Sequence, residues 1–330
     1  LLPRLGARLP ALTRAALRLG RGEALRALIE PTVPVVVTWR ERDSRDAVLR
    51  LEMETITMHP LDPPRLLDFL TRYLVNSQDE DQGHSAAANL FWQIAGGDDI
   101  RALWHKWNQA GATLEQFFQA SDIPSDSPDV YNATDGSDDQ LWHERVHTPA
   151  NLIHLAANPY LLWMFLNVYG ELGHIPGNRG GLFDEFVFQL LKREGLTRGD
   201  SPNEVGERLS GLLEDLAWKL QSQAAAEAGG PARGVELTLP RADAVAILGD
   251  EHSLHRAASA NLLEDAESVR FTHQLLQEYF SARRLLTEID KGLNPDAFWP
   301  RERWWQASGW EEAVVLAAGL SAEAAGTVFH

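Results

Sequence analysis

The stretch that decides the fold is RFTHQLLQEYFSA, at residues 270–282. Before it, residues 261–263 and 268–272 flank an acidic turn, and this arrangement predicts a β-hairpin. His273 follows the second strand, and the apolar positions beyond it recur at helical spacing, which predicts an amphipathic helix over residues 273–289. This helix and the strand before it are predicted to supply a common core: Phe271, Leu275, Leu276, Tyr279 and Phe280.

The segments on the amino-terminal side of the hairpin predict further helices. Ser201 begins a capping pattern with proline at the first helical position, which predicts a helix to about residue 223. A short strand over residues 237–239 precedes a helix near Ala242. Helix, helix, helix and hairpin is the order of a winged-helix unit, which we place at residues 176–290. Its first helix carries an apolar stripe at helical spacing: Phe183, Phe186, Val187, Leu190 and Leu191.

Residues 291–330 are predicted to be helical again and to begin a helical array. Their tryptophans are expected to pack in the core of that layer rather than to line a ligand site. They are Trp299, Trp304, Trp305 and Trp310.

A helical domain is predicted over residues 59–175. Asp62 is an N-cap followed by proline, Thr113 opens a capping box, and Pro159 opens a helix. Residues 121–139 contain six aspartates and predict a solvated, inserted loop. The helix after Asp62 is predicted to bury five side chains: Leu66, Leu67, Phe69, Leu70 and Tyr73. Further helices are predicted over residues 90–107, after Thr148-Pro149 through Ala156, and over 159–169.

The first 58 residues predict the carboxyl-terminal edge of an α/β domain. Residues 5–29 have helical spacing, and Pro31 and Pro34 end that segment. Residues 35–38 are a short apolar run typical of a strand buried on both faces, and residues 49–57 predict a second strand. The predicted fold class is therefore mainly α, with this sheet edge at its start.

Composition and charge restrict the function. The net charge is −17, but residues 1–50 carry ten arginines and five acids, so the remaining 280 residues carry −22. An acidic body repels phosphates, so no large nucleic-acid surface is expected. The chain has no cysteine, and neither a secretory signal nor an apolar run of membrane-spanning length is found. We expect a cytoplasmic protein without a membrane partner.

The pattern His143-Glu144-Arg145-Val146-His147 satisfies the HExxH zinc-peptidase signature. On a helix, the two histidines would lie one turn apart with Glu144 as general base. Glu171 is the nearest carboxylate that could serve as a third ligand, and Pro149 ends the helix early. We expect two surface imidazoles and no bound zinc, and a zinc peptidase stays the alternative function.

A GxxxxGK[ST] phosphate loop is absent from the 330 residues, so this chain is not expected to hold nucleotide phosphates by itself. The glycine-rich segment at residues 177–181 has no strand before it and predicts a turn. His273 stands at a strand-to-helix junction, where backbone N–H groups favour an anion. A locally hydrogen-bonded, partly buried histidine explains the same pattern equally well.

Several motifs, in this order, resemble those of NACHT-type STAND NTPases, which are signalling ATPases. The motif around His273 is the most specific of them, and the resemblance spans about residues 34–320. The other similar segments are Val35-Val36-Val37-Thr38-Trp39-Arg40, His59-Pro60-Leu61-Asp62, Asn158-Pro159-Tyr160-Leu161-Leu162, Ile175-Pro176-Gly177-Asn178-Arg179 and Trp310-Glu311-Glu312.

The resemblance implies a P-loop-type nucleotide-binding domain whose last part is residues 1–58, with the phosphate loop and the acidic Mg²⁺ strand N-terminal to Leu1. It implies that Arg40 senses the terminal phosphate, that Pro159 lies against the adenine, and that His273 contacts the β-phosphate of ADP. ATP or ADP with Mg²⁺ is the implied ligand, and ATP hydrolysis is expected only of a longer protein.

The function implied by the resemblance is a nucleotide-gated switch that controls self-association. A further ligand or protein would be sensed by a region beyond residue 330. A helical interaction scaffold without a ligand is the remaining alternative.

Overall fold

Helices dominate the computed structural model, as the predicted fold class requires. It describes residues 59–76, 79–120, 136–148, 151–198, 202–228, 238–294 and 308–321. Those from Pro60 onward belong to one unit. The predicted sheet edge at residues 1–58 lies outside the described residues.

The first part of the described chain consists of helices only. They are α1 (Pro63–Val75), α2 (Glu80–Ala95), α3 (Asp98–Gln109), α4 (Leu114–Gln119), α5 (Gly136–Arg145), α6 (Leu152–Ala156) and α7 (Pro159–Leu172).

Local start signals position three of these helices as predicted. The Asp62 side chain accepts a hydrogen bond from the backbone N–H of Arg65 at 2.8 Å, which caps α1. Thr113 forms the capping box that opens α4. Asn158 caps α7, with Pro159 at its first position. Each signal satisfies an N–H group that has no partner within its helix.

Other boundaries differ from the prediction. The helix predicted over residues 90–107 is broken at Gly96 and Gly97, where φ is +132° and +90°, so α2 and α3 are separate. The predicted loop over residues 121–139 is wrong at its end, because α5 begins at Gly136; residues 121–135 are outside the described residues. The cap expected at Thr148 is instead Asn151.

Asn151 also bonds to residues that are distant in the chain. Its Nδ2 donates to the carbonyl oxygens of Ala95 at 3.1 Å and Arg145 at 2.6 Å, while its Oδ1 accepts from the N–H of Ile153 at 2.9 Å. One buried amide therefore ties together the ends of α2 and α5 and the start of α6.

The predicted burial on α1 is correct on one face only. Leu66 and Leu70 are buried, whereas Phe69 is 40% exposed and Tyr73 46% exposed. The two exposed rings stack on each other, with centroids 6.3 Å apart. On the buried side, a Cβ at Gly83 of α2 would lie 2.6 Å from the Cα of Val75, so the two helices approach at a distance that only glycine permits.

The second part of the described chain adds a small sheet. Its elements are α8 (Arg179–Arg198), α9 (Pro202–Ala228), β1 (Leu239–Pro240), α10 (Arg241–Leu248), α11 (Glu251–Ser259), β2 (Leu263–Asp265), β3 (Ser268–Phe271), α12 (Gln274–Asp290) and α13 (Glu311–Leu320). The strands are antiparallel in the order β1-β3-β2, with Leu239 opposite Val269 and Leu263 opposite Phe271. The predicted hairpin is confirmed.

Helix α12 lies at the centre of this part and packs chiefly against α9 and α13. Phe271, Leu276, Tyr279 and Phe280 are buried as predicted, and Leu275 is half-buried. The predicted stripe on α8 is also buried throughout: Phe183, Phe186, Val187, Leu190 and Leu191. Trp310 is buried just before α13, while the other three tryptophans of residues 291–330 are outside the described residues.

The turn predicted over residues 177–181 is confirmed for 177 and 178 only, because α8 begins at Arg179. Asn178 Oδ1 accepts from the backbone N–H of Gly181 at 2.9 Å. A Cβ at Gly180 would lie 2.6 Å from the carbonyl oxygen of Leu316, so this segment contacts α13 through bare backbone. The glycine here serves helix packing.

Candidate functional site

The start of α7 carries one of the predicted contact residues. Asn158 Oδ1 accepts from the backbone N–H of Tyr160 at 2.9 Å, which fixes the first turn of the helix. Pro159 occupies the first helical position and is exposed. No acidic residue lies in the first turn, so no side-chain carboxylate there offsets the positive end of the helix dipole.

The start of α12 carries the second residue, His273. It is the N-cap, and its Nδ1 accepts from the backbone N–H of Leu275 at 3.2 Å. A ring nitrogen that accepts is unprotonated, so the neutral imidazole carries its proton on Nε2. This first turn also lacks an acidic residue. His273 therefore forms a local hydrogen bond through Nδ1, as one of the two predictions from the sequence states. Its Nε2–H can also act as a donor at the helix start.

The two helix starts meet through Tyr160. Its ring lies parallel to that of His273, with an angle of 5° between the planes and 5.1 Å between the centroids. This is the offset stacking that aromatic pairs favour. The predicted residues Pro159 and His273 are therefore near each other. His273 stacks directly on Tyr160, and Pro159 is the residue before Tyr160 in the chain.

The surroundings of Tyr160 keep its phenol neutral. Burial raises the pKa of Tyr160, and the hydroxyl faces the side chain of Thr272. Thr272 Oγ1 donates to the carbonyl oxygen of Asn261 at 2.8 Å, which anchors the residue before His273 to the start of the hairpin. The third predicted contact residue, Arg40, lies outside the described residues.

The HExxH segment lies elsewhere, at the end of α5. His143 is on α5, which ends at Arg145, and the ring centroids of His143 and His147 lie 5.8 Å apart. His143 Nε2 is 3.4 Å from Asp139 Oδ1, and Gln140 donates to Glu144 Oε1 at 2.7 Å. Within the described residues, no group of three or more His, Asp or Glu side chains is arranged to hold a metal ion.

The position of the His147 ring is determined by packing. Its ring meets the buried Trp142 edge to face, with centroids 4.4 Å apart. Burial lowers the pKa of His147, and the neighbouring His143 and His154 lower it further.

Two polar clusters surround the body of α12. In the first, Tyr279 donates to Asp184 Oδ1 at 2.6 Å, and Arg283 pairs with Asp184 at 3.0 Å and with Glu214 at 2.9 Å. These contacts join α12 to α8 and α9 through one arginine that two carboxylates share.

The second cluster is mainly acidic. Glu278 is buried and accepts from Gln274 Nε2 at 2.8 Å. Burial, together with Glu312 and Glu311 of the α13 segment, raises the pKa of Glu278 to about 7. Arg179 is paired with Glu312 at 2.9 Å. Sequence analysis did not anticipate this cluster, because nothing in the spacing brings α12 and α13 together.

Comparison of the chain with protein-family models, curated proteins and solved structures gives no match. None of the described helices has both the length and the apolar composition needed to cross a bilayer. Function is therefore inferred from the two helix starts and from the sequence resemblance.

Proposed function

We propose that the chain is the regulatory part of a NACHT-type, nucleotide-gated signalling NTPase. Residues 59–175 serve as its helical domain, residues 176–290 as its winged-helix domain, and residues 291–330 as the start of a helical array. The nucleotide is ADP or ATP with Mg²⁺, and the phosphate loop belongs to a preceding segment. The full NTPase works in the cytoplasm and self-associates when it is switched on.

The stacking of Tyr160 on His273 is the observation that carries the proposal. The resemblance assigns the adenine contact to Pro159 and the β-phosphate contact to His273, two residues far apart in the chain. Tyr160 follows Pro159 directly, so its stack on His273 supports the assignment of both residues to one ligand. A chance resemblance gives no reason for the two helix starts to meet.

The order of elements supports the domain assignment. Helix α9 is followed by β1, α10, α11, β2 and β3, and the three strands form an antiparallel sheet in the order β1-β3-β2. This order supports our assignment of a winged helix, with α12 as the further helix after the wing.

The residues at the two helix starts have the chemistry that ADP requires. Nε2–H of His273 donates to a β-phosphate oxygen, and the acid-free first turn of α12 adds its dipole to that contact. Pro159 is exposed and has no N–H to desolvate when it lies against a flat base. Arg40 would contact the terminal phosphate of ATP. Mg²⁺ neutralises phosphate charge when it is bound, and its ligands are expected in the preceding segment.

The switch follows from this arrangement. With ADP bound, His273 keeps the 176–290 unit against the start of α7. With ATP, the unit detaches and uncovers surfaces for self-association.

Nucleotide affinity of the His273→Ala variant tests the proposal, measured on the protein extended to include the phosphate loop. A hydrogen bond to a charged group is worth about 1.5–3 kcal/mol, so ADP affinity should fall roughly ten- to a hundredfold. ATP affinity should fall less, and the variant should self-associate more readily. His255→Ala, which removes an exposed histidine of α11, is the matched control.

Equal loss of ADP and ATP affinity, or no loss of either, would contradict the switch. Failure of the extended protein to bind any nucleotide would favour a helical scaffold instead.

A further inference from the structure

Tyr160 has a geometry that the adenine and phosphate contacts do not require. Its ring covers one face of His273, with nearly parallel planes. Its backbone is fixed independently, because Asn158 accepts from its N–H and proline precedes it in the first helical turn. The ring is further supported by Trp163, 6.2 Å away between centroids, which in turn meets Phe186 of α8 edge to face at 5.6 Å.

The imidazole of His273 is restrained in two different directions. The Leu275 N–H holds Nδ1 from within α12, which fixes the proton on Nε2. The Tyr160 ring holds the plane from across the interface with α7. A hydrogen bond to one nitrogen still allows the ring to tilt, whereas a stacked partner restricts that tilt. The Tyr160 ring therefore contributes to the direction of the Nε2–H bond.

We propose that Tyr160 is a positioning residue, which aims the Nε2–H of His273 from the opposite side of the domain interface. The inference rests on the proposed nucleotide function, because it is the phosphate contact that Tyr160 improves. It adds a coupling between the two ends of the nucleotide. The same helical turn carries Pro159 for the base and Tyr160 for the histidine that binds the phosphate, so a displacement of α7 disturbs both contacts together.

The first test uses the chain as it stands and needs no nucleotide. Nuclear magnetic resonance of histidine-labelled protein reports the ring protons and both ring nitrogens of His273, which are identified by their loss in His273→Asn. We expect ring protons shifted upfield by the tyrosine and an unprotonated Nδ1. Tyr160→Leu should remove the upfield shift while Nδ1 stays unprotonated, because Leu275 still donates to it. Tyr160→Phe, which keeps the ring face, should preserve the native signals.

An unchanged His273 spectrum in Tyr160→Leu would overturn the inference. Equal disturbance by Tyr160→Phe would also overturn it, because the hydroxyl group, rather than the ring face, would then hold the histidine.

The second test is a double-mutant cycle on the extended protein, with ADP as the probe. An aromatic pair contributes enough for Tyr160→Leu to weaken ADP about two- to tenfold. In a His273→Asn background, which keeps an N-cap side chain, the same change should cost almost nothing, because Tyr160 acts through His273. If the two variants lower ADP affinity additively, Tyr160 acts independently of His273, either by contacting the nucleotide or by stabilising the fold.

The two tests separate the two proposals. If His273→Asn leaves ADP binding unchanged, the proposed function fails, whatever the spectra show. If His273→Asn weakens ADP and Tyr160→Leu does not, only the positioning role fails.

Discussion

Helix α12 makes two kinds of contact, which differ in the number and type of interactions that stabilise them. Its body is enclosed by α9 and α13, with fully buried Leu276 and Phe280 and with the charged network of Arg283, Asp184 and Glu214. Its start meets α7 through the stack of Tyr160 on His273, and the Tyr160 hydroxyl faces Thr272. The body packs against α9 and against α13, which lies beyond residue 290, whereas the start contacts α7 of the preceding helical segment. The proposed switch needs this contrast, because α12 must leave α7 while its own core stays folded.

The largest effect should come from removing core volume in the body. Leu276 has no exposed surface, so Leu276→Ala should lower the free energy of unfolding by about 2–5 kcal/mol in chemical denaturation. Leu275→Ala, one position away and half-buried, is the control and should cost clearly less. If Leu276→Ala costs under about half a kcal/mol, α12 is a surface helix and the contrast disappears.

The next effect is a dependence on pH. The pKa of Glu278 rises from 4.5 to about 7 in the folded protein, so the folded state binds this proton more tightly than the unfolded state. Its contribution to stability is complete below pH 4.5 and is lost as the pH rises to about 7. Such a shift corresponds to about 3 kcal/mol, and Glu278→Gln should remove that part of the decline.

Glu288→Gln, on the same helix, is the control with the opposite sign. The pKa of Glu288 is lowered, first of all by its hydrogen bond with Lys291, so its contribution is lost as the pH falls instead. Unfolding curves between about pH 3 and 8 distinguish the two variants, because the Glu288 contribution changes mainly below pH 4.5 and that of Glu278 above it. A Glu278→Gln profile that is parallel to wild type would show that Glu278 is ionised in the folded state and that the acidic cluster does not affect stability.

A smaller effect is expected from the charged network of the body. Arg283→Met leaves Asp184 and Glu214 without their shared cation, which should cost about 1–2 kcal/mol, after allowance for partial solvent exposure. Arg72→Met removes a fully exposed pair with Asp68 on α1 and should cost almost nothing. Equal costs would mean that the network does not hold the body of α12 more firmly than a surface ion pair does.

How far the sequence could predict this arrangement depends on how local each signal is. The starts of α1, α4, α7 and α12 were predictable, because a capping side chain and its backbone partner lie within three residues of each other. The break at Gly96 and Gly97 and the cap at Asn151 were not, because packing with distant segments selects them. The predicted burial of Phe69 and Tyr73 was wrong. Helical spacing shows which residues share a face of the helix, but it does not show whether a neighbouring element covers that face.

The residues of the candidate site also separate into those that local signals predict and those that contacts between distant segments bring together. Pro159 and His273 were predicted from motifs, as was Arg40, which lies outside the described residues. Tyr160 was part of a quoted motif, but no signal in the sequence showed that it would meet a histidine in another unit. The acidic cluster around Glu278 was missed for the same reason.

The smallest effect on stability should come from the start of α12. A stacked pair contributes about 0.5–1.5 kcal/mol beyond its buried area, and leucine restores part of the buried area. Tyr160→Leu should therefore change the free energy of unfolding by at most about 1 kcal/mol, as measured in the same denaturation experiment. A loss as large as that of Leu276→Ala would contradict a separable contact.

The most direct measurement is the distance between α3 and the β2–β3 turn in each nucleotide state. The 330 residues contain no cysteine, so spin labels on Ala102→Cys of α3 and Ala266→Cys of the β2–β3 turn, both exposed positions, report that distance. The control pair, Lys192→Cys with Ala266→Cys, lies within the 176–290 unit. In the protein extended to include the phosphate loop, we expect one narrow distance with ADP, a longer one with ATP, and an unchanged control pair. The same distance in both nucleotide states would contradict the nucleotide-gated separation of α12 from α7.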